Sequence, residues 1–266
     1  LRTPNFWDSL GQWHDLFQWR NHIHNIVISA FKTFQDQPHH MHQIGYRDKA
    51  WSINKLASIA RKQNLHSLSL DVLKTLYGYY QMEVQEAFVK IREQVMACLN
   101  IPGELVSALN LINTTNLEFF PQQHKAEMFR LKATIYQKLN NSEQAHSNFS
   151  TSLSIDPSLA EGWYSWGSYC EVVYEAHGNI TYLEYAASCY LQAIKIDTKL
   201  AKKLMSKFLL WLSFDNTSGG DVVGRVFDKY GEGIPSSVWL PYVSQLICSL
   251  QRPEAGRAKA LLFQLV

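Results

Sequence analysis

The stretch AHSNFSTSLSID, residues 145–156, returns as AASCYLQAIKID at residues 186–197. Ala145, Phe149, Leu153, Ile155 and Asp156 correspond to Ala186, Tyr190, Ile194, Ile196 and Asp197, each 41 residues later. Within each set a small residue, an aromatic and an aliphatic residue follow one another at intervals of four. That interval places all three on one face of a helix.

Working outward, Phe129, Ala133 and Tyr136 precede the first set, and Trp163, Trp166 and Gly167 precede the second. A large residue, a small one and an aromatic are what the first helix of a tetratricopeptide-type hairpin carries. The small residue lets two helices approach closely, and the aromatic fills the space above it. The period is stretched from about 34 residues, which a longer turn at His177-Gly178-Asn179 accounts for most simply. Pro157 closes one helix, and Pro121 opens another in the favoured first-turn position. Ser158 with Glu161, and Thr181 with Glu184, read as capping boxes. A lone hairpin of this kind cannot bury its apolar face, so neighbours must stack on both sides. The expected fold is an all-α solenoid of stacked hairpins.

The rest of the chain agrees with that reading. After Gly11, Trp13, Leu16, Phe17, Ile23, Ile26, Val27 and Ala30 form a helical stripe, with Asp8 or Ser9 as cap. Gln35 to Tyr46, with Pro38, Gly45 and several histidines, reads as a loop. Trp51, Ile53, Leu56, Ile59 and Ala60 begin a helix that pairs with a second one over residues 64–80. Glu83 to Leu99 is a helix ended by Pro102-Gly103, and a shorter one follows to about Thr114. Thr198 is placed as the cap of a helix reaching Trp211-Leu212. Asn216 to Gly220 is placed as a turn, with helices near 221–230, 237–250 and 254–265 beyond it. No window alternates apolar and polar residues with period two, so no sheet is expected.

The 266 residues are 46% apolar, 13% aromatic and carry a net charge of +2. That suits a large core and is too near balance for polyelectrolyte binding to nucleic acid or an anionic membrane. No run approaches the eighteen or so apolar residues a membrane span needs. Cys98, Cys170, Cys189 and Cys248 form no CxxC pair and read as reduced core thiols of an intracellular protein. The first residue is not Met and the end reads on as helix, as expected of a segment from something longer.

Candidate chemistry is sparse. His22 and His24 face different ways on a helix, and His39, His40 and His42 lack the cysteine or acidic partners a zinc site needs, so no metal is expected. Gly219-Gly220-Asp221-Val222-Val223-Gly224 lacks the strand and glycine register of a phosphate loop and reads as a turn. No nucleophile or kinase signature occurs, and no catalytic residue is assigned. Lys195, Lys199, Lys202, Lys203 and Lys207 form a basic ridge. The plain reading is a solvated helix face. The sharper one is an anion site for a polyphosphate or acidic peptide beside the helix start at Thr198, centred on Lys195, Lys199, Lys202 and Lys203. Of Trp7, Trp13, Trp19, Trp163, Trp166 and Trp239, most are expected in the core and one or two at a partner interface.

The run DSLGQWHDLFQWR at Asp8–Arg20 resembles the FAT region of the TRRAP-type coactivators, the pseudokinase branch of the PI3-kinase-related kinases. The resemblance continues through AWSINKLASIARKQ at Ala50–Gln63, QEAFVKIREQ at Gln85–Gln94, TNLEFF at Thr115–Phe120, KAEMFRLK at Lys125–Lys132, ASCYLQA at Ala187–Ala193 and LWLSFD at Leu210–Asp215. Ala50–Asn54 looks more like the fungal members. The resemblance implies one FAT-type helical-repeat domain over residues 1–266, with irregular pairs over 1–120, tetratricopeptide-like repeats over 121–213 and further helices over 214–266. It implies a non-enzymatic nuclear scaffold, a subunit of histone acetyltransferase complexes such as SAGA, that receives transcription activators and packs against its own HEAT and kinase-like regions. It also implies an inositol polyphosphate held by some relatives, which gives the lysine ridge its interest. Two rivals stand beside it: the FAT region of an active kinase of that superfamily, and a free-standing tetratricopeptide adaptor.

Overall fold

The structure, a computed structural model, describes residues 4–31, 39–78, 82–218, 220–252 and 254–265. All regular structure among them is helical. The helices pack as two compact units, Leu1–Asn140 and Asn141–Val266.

The first unit contains α1 (Leu10–Phe31), α2 (His39–Lys62), α3 (His66–Lys74), α4 (Val84–Cys98), α5 (Leu105–Thr114) and α6 (Gln122–Lys138). From α1 to α6 each helix packs on the next, and α2 and α4 also pack on the second helix along. That is the near-neighbour pattern of a stack. In place of one central core the unit has a succession of apolar clusters. Trp13, Phe17 and Ile59 make the first, Ala57, Leu73 and Leu76 another, and Phe88, Val95, Ile112, Met128, Leu131 and Ile135 the largest. Asn64 (φ 62°) and Asn140 (φ 56°) end α2 and α6 in the left-handed conformation that asparagine tolerates better than most residues.

Buried polar bonds set the register of the stack. The Asn54 amide donates to the Glu86 carbonyl at 3.0 Å and to Glu86 Oε2 at 2.7 Å. Seven residues on, Arg61 Nε donates to Glu93 Oε2 at 2.7 Å. Both partners advance by two helical turns together, so α2 and α4 run parallel, as alternate helices of a solenoid do. Ser69 Oγ donates to the Ala57 carbonyl at 2.9 Å and fixes α3 against α2.

The second unit contains α7 (Ser142–Ile155), α8 (Ala160–His177), α9 (Ile180–Ile196), α10 (Ala201–Ser218), α11 (Val222–Tyr230), α12 (Ser236–Trp239), α13 (Val243–Ser249) and α14 (Ala255–Phe263). The two repeat sets lie on α7 and α9, where Ala145, Phe149, Leu153, Ala186, Tyr190 and Ile194 are all buried. A β-carbon on Gly167 would come within 2.7 Å of the Tyr190 ring, so the closeness of α8 and α9 depends on that glycine.

Several local expectations are corrected. The stretched period does not come from a longer turn. Gly178 (φ +66°) ends α8 in one left-handed residue, and Asn179 caps α9 by accepting from the Thr181 amide at 3.0 Å. The extra residues lengthen α8 and α9 to 18 and 17 residues. Asn179, not Thr181, is thus the cap, because it precedes the helix by one place. Asp156, not Ser158, serves the turn before α8, its Oδ1 accepting from the Ser158 amide at 2.9 Å and hydroxyl at 2.6 Å. Pro121 is the cap residue of α6, one place before the first turn.

The histidine-rich segment placed in a loop is helical from His39, inside α2; residues 35–38 lie outside the described residues. Neither Pro38 nor Gly45 stops a helix that begins after the first and tolerates the second. Residues 64–80 form α3 and then a 3₁₀ turn at Thr75–Gly78, with residues 79 and 80 outside the described set. Asp197 caps a 3₁₀ turn at Thr198–Leu200 by accepting from the Lys199 amide at 2.9 Å, in place of Thr198. α10 then runs past Leu212 to Ser218, so Asn216–Ser218 are helical; Gly219 lies outside the described residues. The helix placed near 237–250 is interrupted by a 3₁₀ turn at Leu240–Tyr242 that holds Pro241.

Candidate interaction surfaces

The lysine ridge is divided by its surroundings. Lys203 Nζ lies 4.3 Å from the centre of the Tyr164 ring, and Lys207 Nζ bonds Glu171 Oε1 at 2.6 Å. Both reach from α10 to α8. The amide at the turn before α10 already has a carboxylate, that of Asp197. Lys199 and Lys202 are exposed, and Lys195 is half-buried at the end of α9.

The described part of the glycine-rich segment, Gly220–Gly224, is internally occupied in the same way; Gly219 lies outside the described residues. Asp215 is buried, its Oδ1 accepting from the Val222 amide and its Oδ2 from the Gly224 amide, each at 2.9 Å. An acidic side chain of the protein thus sits where an anion would meet the start of α11. Arg257 of α14 bonds both Asp221 oxygens, at 2.5 and 2.7 Å, and Asp228 at 2.6 Å. Those bonds hold the Asp221 carboxyl below its ordinary value. A β-carbon on Gly224 would meet the ends of the Asp221 and Arg257 side chains, so a larger residue there would have to displace their ion pair. Replacing Asp215 with Ala is expected to cost about 2 kcal/mol, since it strips a cap and leaves two amides unmet. Urea melts of the full chain check the figure.

Burial pushes the Cys98 thiol up to about 11 and the Cys170 thiol up to about 12, and Cys189 rises in the same direction. These are core thiols with little thiolate at neutral pH. Cys248 is exposed on α13, contrary to the expectation that it is core. His24 Nε2 lies 2.9 Å from Asp48 Oδ2, a partner that sequence spacing did not reveal. Among the described residues, no group of three or more His, Cys, Asp or Glu is arranged to hold a metal. Among those residues no helix is long and apolar enough to cross a membrane.

The tryptophans separate clearly. Trp13 and Trp239 are buried, Trp163 and Trp166 half-buried, while Trp7 and Trp19 are 81% and 69% exposed. Trp19 shares one side of α1 with Ile23 and Ile26, also exposed. The other side of α1 borders a trough of about 620 Å³ between α1, α2 and α3. Phe17, Ile53, Leu56 and Val72 supply its apolar floor, and His14, Gln18 and Lys49 stand at its edge. No spacing along the chain discloses it, since a groove arises from three helices jointly.

His146 sits among Trp166, Tyr169, Tyr182 and Tyr185, with ring centres 5.3–6.0 Å away. The Trp166 indole N–H donates to its Nδ1 at 2.9 Å, so the neutral ring is the one accommodated. In the first unit His124 stacks on Phe88 at 3.7 Å. Burial lowers the pKa of both, and Arg92 adds to the effect on His124. The unfolded chain takes up these protons at the ordinary value of 6.5 while the folded chain resists them. Stability is therefore complete above that value, falls as pH drops through it, and levels off below the folded-state value. A double variant His124→Gln, His146→Gln is expected to lose less stability between about pH 7.5 and 5.5 than the parent, as read in urea melts.

Residues 1–210 match the FAT domain family. The chain belongs to that family. The FAT chain is 33% identical, over 99% of its length, to the protein named SAGA complex/NuA4 acetyltransferase complex subunit TRA1 of Saccharomyces cerevisiae, and covers 7% of it. It is 33% identical over 99% of its length to transcription-associated protein 1 of Drosophila melanogaster, again covering 7%. It is 36% identical over 82% of its length to the SAGA complex/NuA4 acetyltransferase complex subunit Tra1 of Schizosaccharomyces pombe, covering 6% of that protein. The FAT chain thus spans a small fraction of these relatives.

Proposed function

We propose that this chain is a non-catalytic scaffold segment of a histone acetyltransferase coactivator subunit of the SAGA type, acting in the nucleus. It forms part of one FAT-type helical-repeat domain that braces a kinase-like domain without activity of its own, packs against a HEAT region and offers surface to transcription activators. The observation that carries this reading is similarity along nearly the whole chain to relatives named as subunits of such complexes. The physical arrangement supports it. Polar side chains inside the stack serve as caps, register bonds and braces, while exposed tryptophan and a lipped trough remain for protein contact.

In this reading Lys203 and Lys207 of the ridge brace α10 against α8, and Lys199 and Lys202 are solvated. Lys199→Glu with Lys203→Glu is expected to leave inositol polyphosphate binding by the full chain unchanged, measured by calorimetry. A loss of binding in that variant would restore the ridge as an anion site. The scaffold reading is tested by tagging the full-length parent and identifying what co-purifies. Acetyltransferase-complex subunits are expected, and their absence would overturn it.

A further inference from the structure

Five hydrogen bonds fasten the turn before α1. The Asp8 amide donates to the Asn5 carbonyl at 3.0 Å, and the Asn5 amide donates to Asp8 Oδ2 at 2.6 Å. The indole N–H of buried Trp13 reaches the same Asn5 carbonyl at 3.0 Å. From α2, the Gln63 side-chain amide donates to the Phe6 and Asp8 carbonyls, each at 2.9 Å. Exposed loop tips are usually mobile. This one is held on both sides of Trp7, and it presents that ring outward with 81% of its surface exposed.

Beside the ring two cations converge. Lys55 Nζ lies 4.5 Å and Lys62 Nζ 4.1 Å from the centre of the Phe6 ring. The two ammonium groups therefore stand at most about 9 Å apart, a distance over which salt screens their repulsion only in part. Among the described residues no carboxylate pairs with either lysine. The acid of the turn, Asp8, is directed to the Asn5 amide. Arg61, next to Lys62 on α2, shares the Glu93 carboxylate with Arg92. Four cations thus meet two carboxylates here, an excess that a negative visitor offsets. The contact groups are within reach of one, since Trp7 and Lys62 are exposed and Lys55 is half-buried.

We propose that this corner docks an acidic segment of a partner protein, in which one large apolar side chain lies against the Trp7 indole and flanking carboxylates meet Lys55 and Lys62. The ring supplies the anchor, and the lysines select the charge. A nucleic acid fits less well. Both lysines overlie Phe6, which leaves Trp7 as the one open ring of the turn, and the chain's net charge is only +2. This goes beyond the scaffold reading and fails separately from it. Co-purification tests which complex holds the parent, whereas this concerns one corner of the first unit.

The test uses the full chain and three fluorescein-labelled peptides of about twelve residues. The first sets leucines and a phenylalanine among aspartates. The second replaces aspartate with lysine, and the third keeps the aspartates and replaces the apolar residues with serine. Anisotropy titrations are expected to show saturable binding of the first, weakening as salt rises, and at least about tenfold weaker binding of the other two. Trp7→Ala, and separately Lys55→Gln with Lys62→Gln, are each expected to weaken the first peptide about tenfold with unchanged circular dichroism spectra. Lys55→Arg with Lys62→Arg keeps the charge and is expected to hold the affinity within about twofold. Failure of the first peptide to bind, equal binding of either control peptide, or indifference to Trp7→Ala or to the glutamine pair would overturn the proposal. So would tighter binding of a single-stranded oligothymidine, or of vesicles containing phosphatidylserine, that the same variants abolish. Those results would assign the corner to a nucleic acid or to a membrane surface.

Discussion

Gly167→Val is expected to destabilise the second unit by about 3 kcal/mol, through overpacking and the loss of a fixed ring. The new β-carbon would lie 2.7 Å from two Tyr190 ring carbons and 3.1 Å from Cys189 Cβ. The ring has nowhere to retreat. It stacks against Tyr164 at 6.3 Å and Trp211 at 5.7 Å, and its hydroxyl donates to Glu171 Oε2 at 2.6 Å. Glu171 in turn accepts from Lys207 at 2.6 Å. Displacing Tyr190 therefore breaks a chain of buried contacts, each worth about 0.5–3 kcal/mol. The helix itself gains less than about 1 kcal/mol when glycine is replaced, which offsets only part of the loss. Gly256→Ala supplies the control: nothing lies within 4 Å of the added carbon in α14, so that change is expected to be neutral or slightly stabilising. Urea melts of the three proteins decide it, and equal midpoints would refute the account.

Arg61→Met is expected to cost the first unit a similar amount, about 3 kcal/mol, because it strands a buried carboxylate. Glu93 is 1% exposed and is held by Arg61 at 2.7 Å and Arg92 at 3.0 Å. Arg92 is the more exposed of the two and is screened by water, so it compensates in part only. Arg61→Met combined with Glu93→Gln removes the stranded charge and is expected to recover most of the loss. If the double variant is as unstable as the single one, the cost lies in packing of the arginine stem and the electrostatic argument fails.

The Gly167 and Arg61 sites show what the sequence could disclose. The solenoid was legible because small residues and aromatics recur at helical spacing along α7 and α9, and buried faces demand that spacing wherever they occur. Gly167 stood out for the same reason. Arg61 and Glu93 did not, since their pairing depends on α2 and α4 lying side by side, 32 residues apart in sequence. The misplaced caps shared one cause. Asp156 and Asn179 each stand two places ahead of Ser158 and Thr181, and either residue type satisfies the amides of a first turn. The long turn inferred at His177–Asn179 failed because a period fixes total length and says nothing of how helix and link divide it. Cys248 and the exposed tryptophans of the N-terminal region were beyond reach, as apolar spacing names a face and not what covers it.

The first unit's separate apolar clusters carry a mechanical consequence. Pulled from its ends, a body with one shared interior yields all at once, whereas a row of small interiors surrenders them singly and recovers them singly. A small cluster such as that around Trp13 and Ile59, or around Leu73 and Leu76, can open while the larger block around Phe88 and Met128 stays whole. Such a piece can lengthen and recoil under load without being lost.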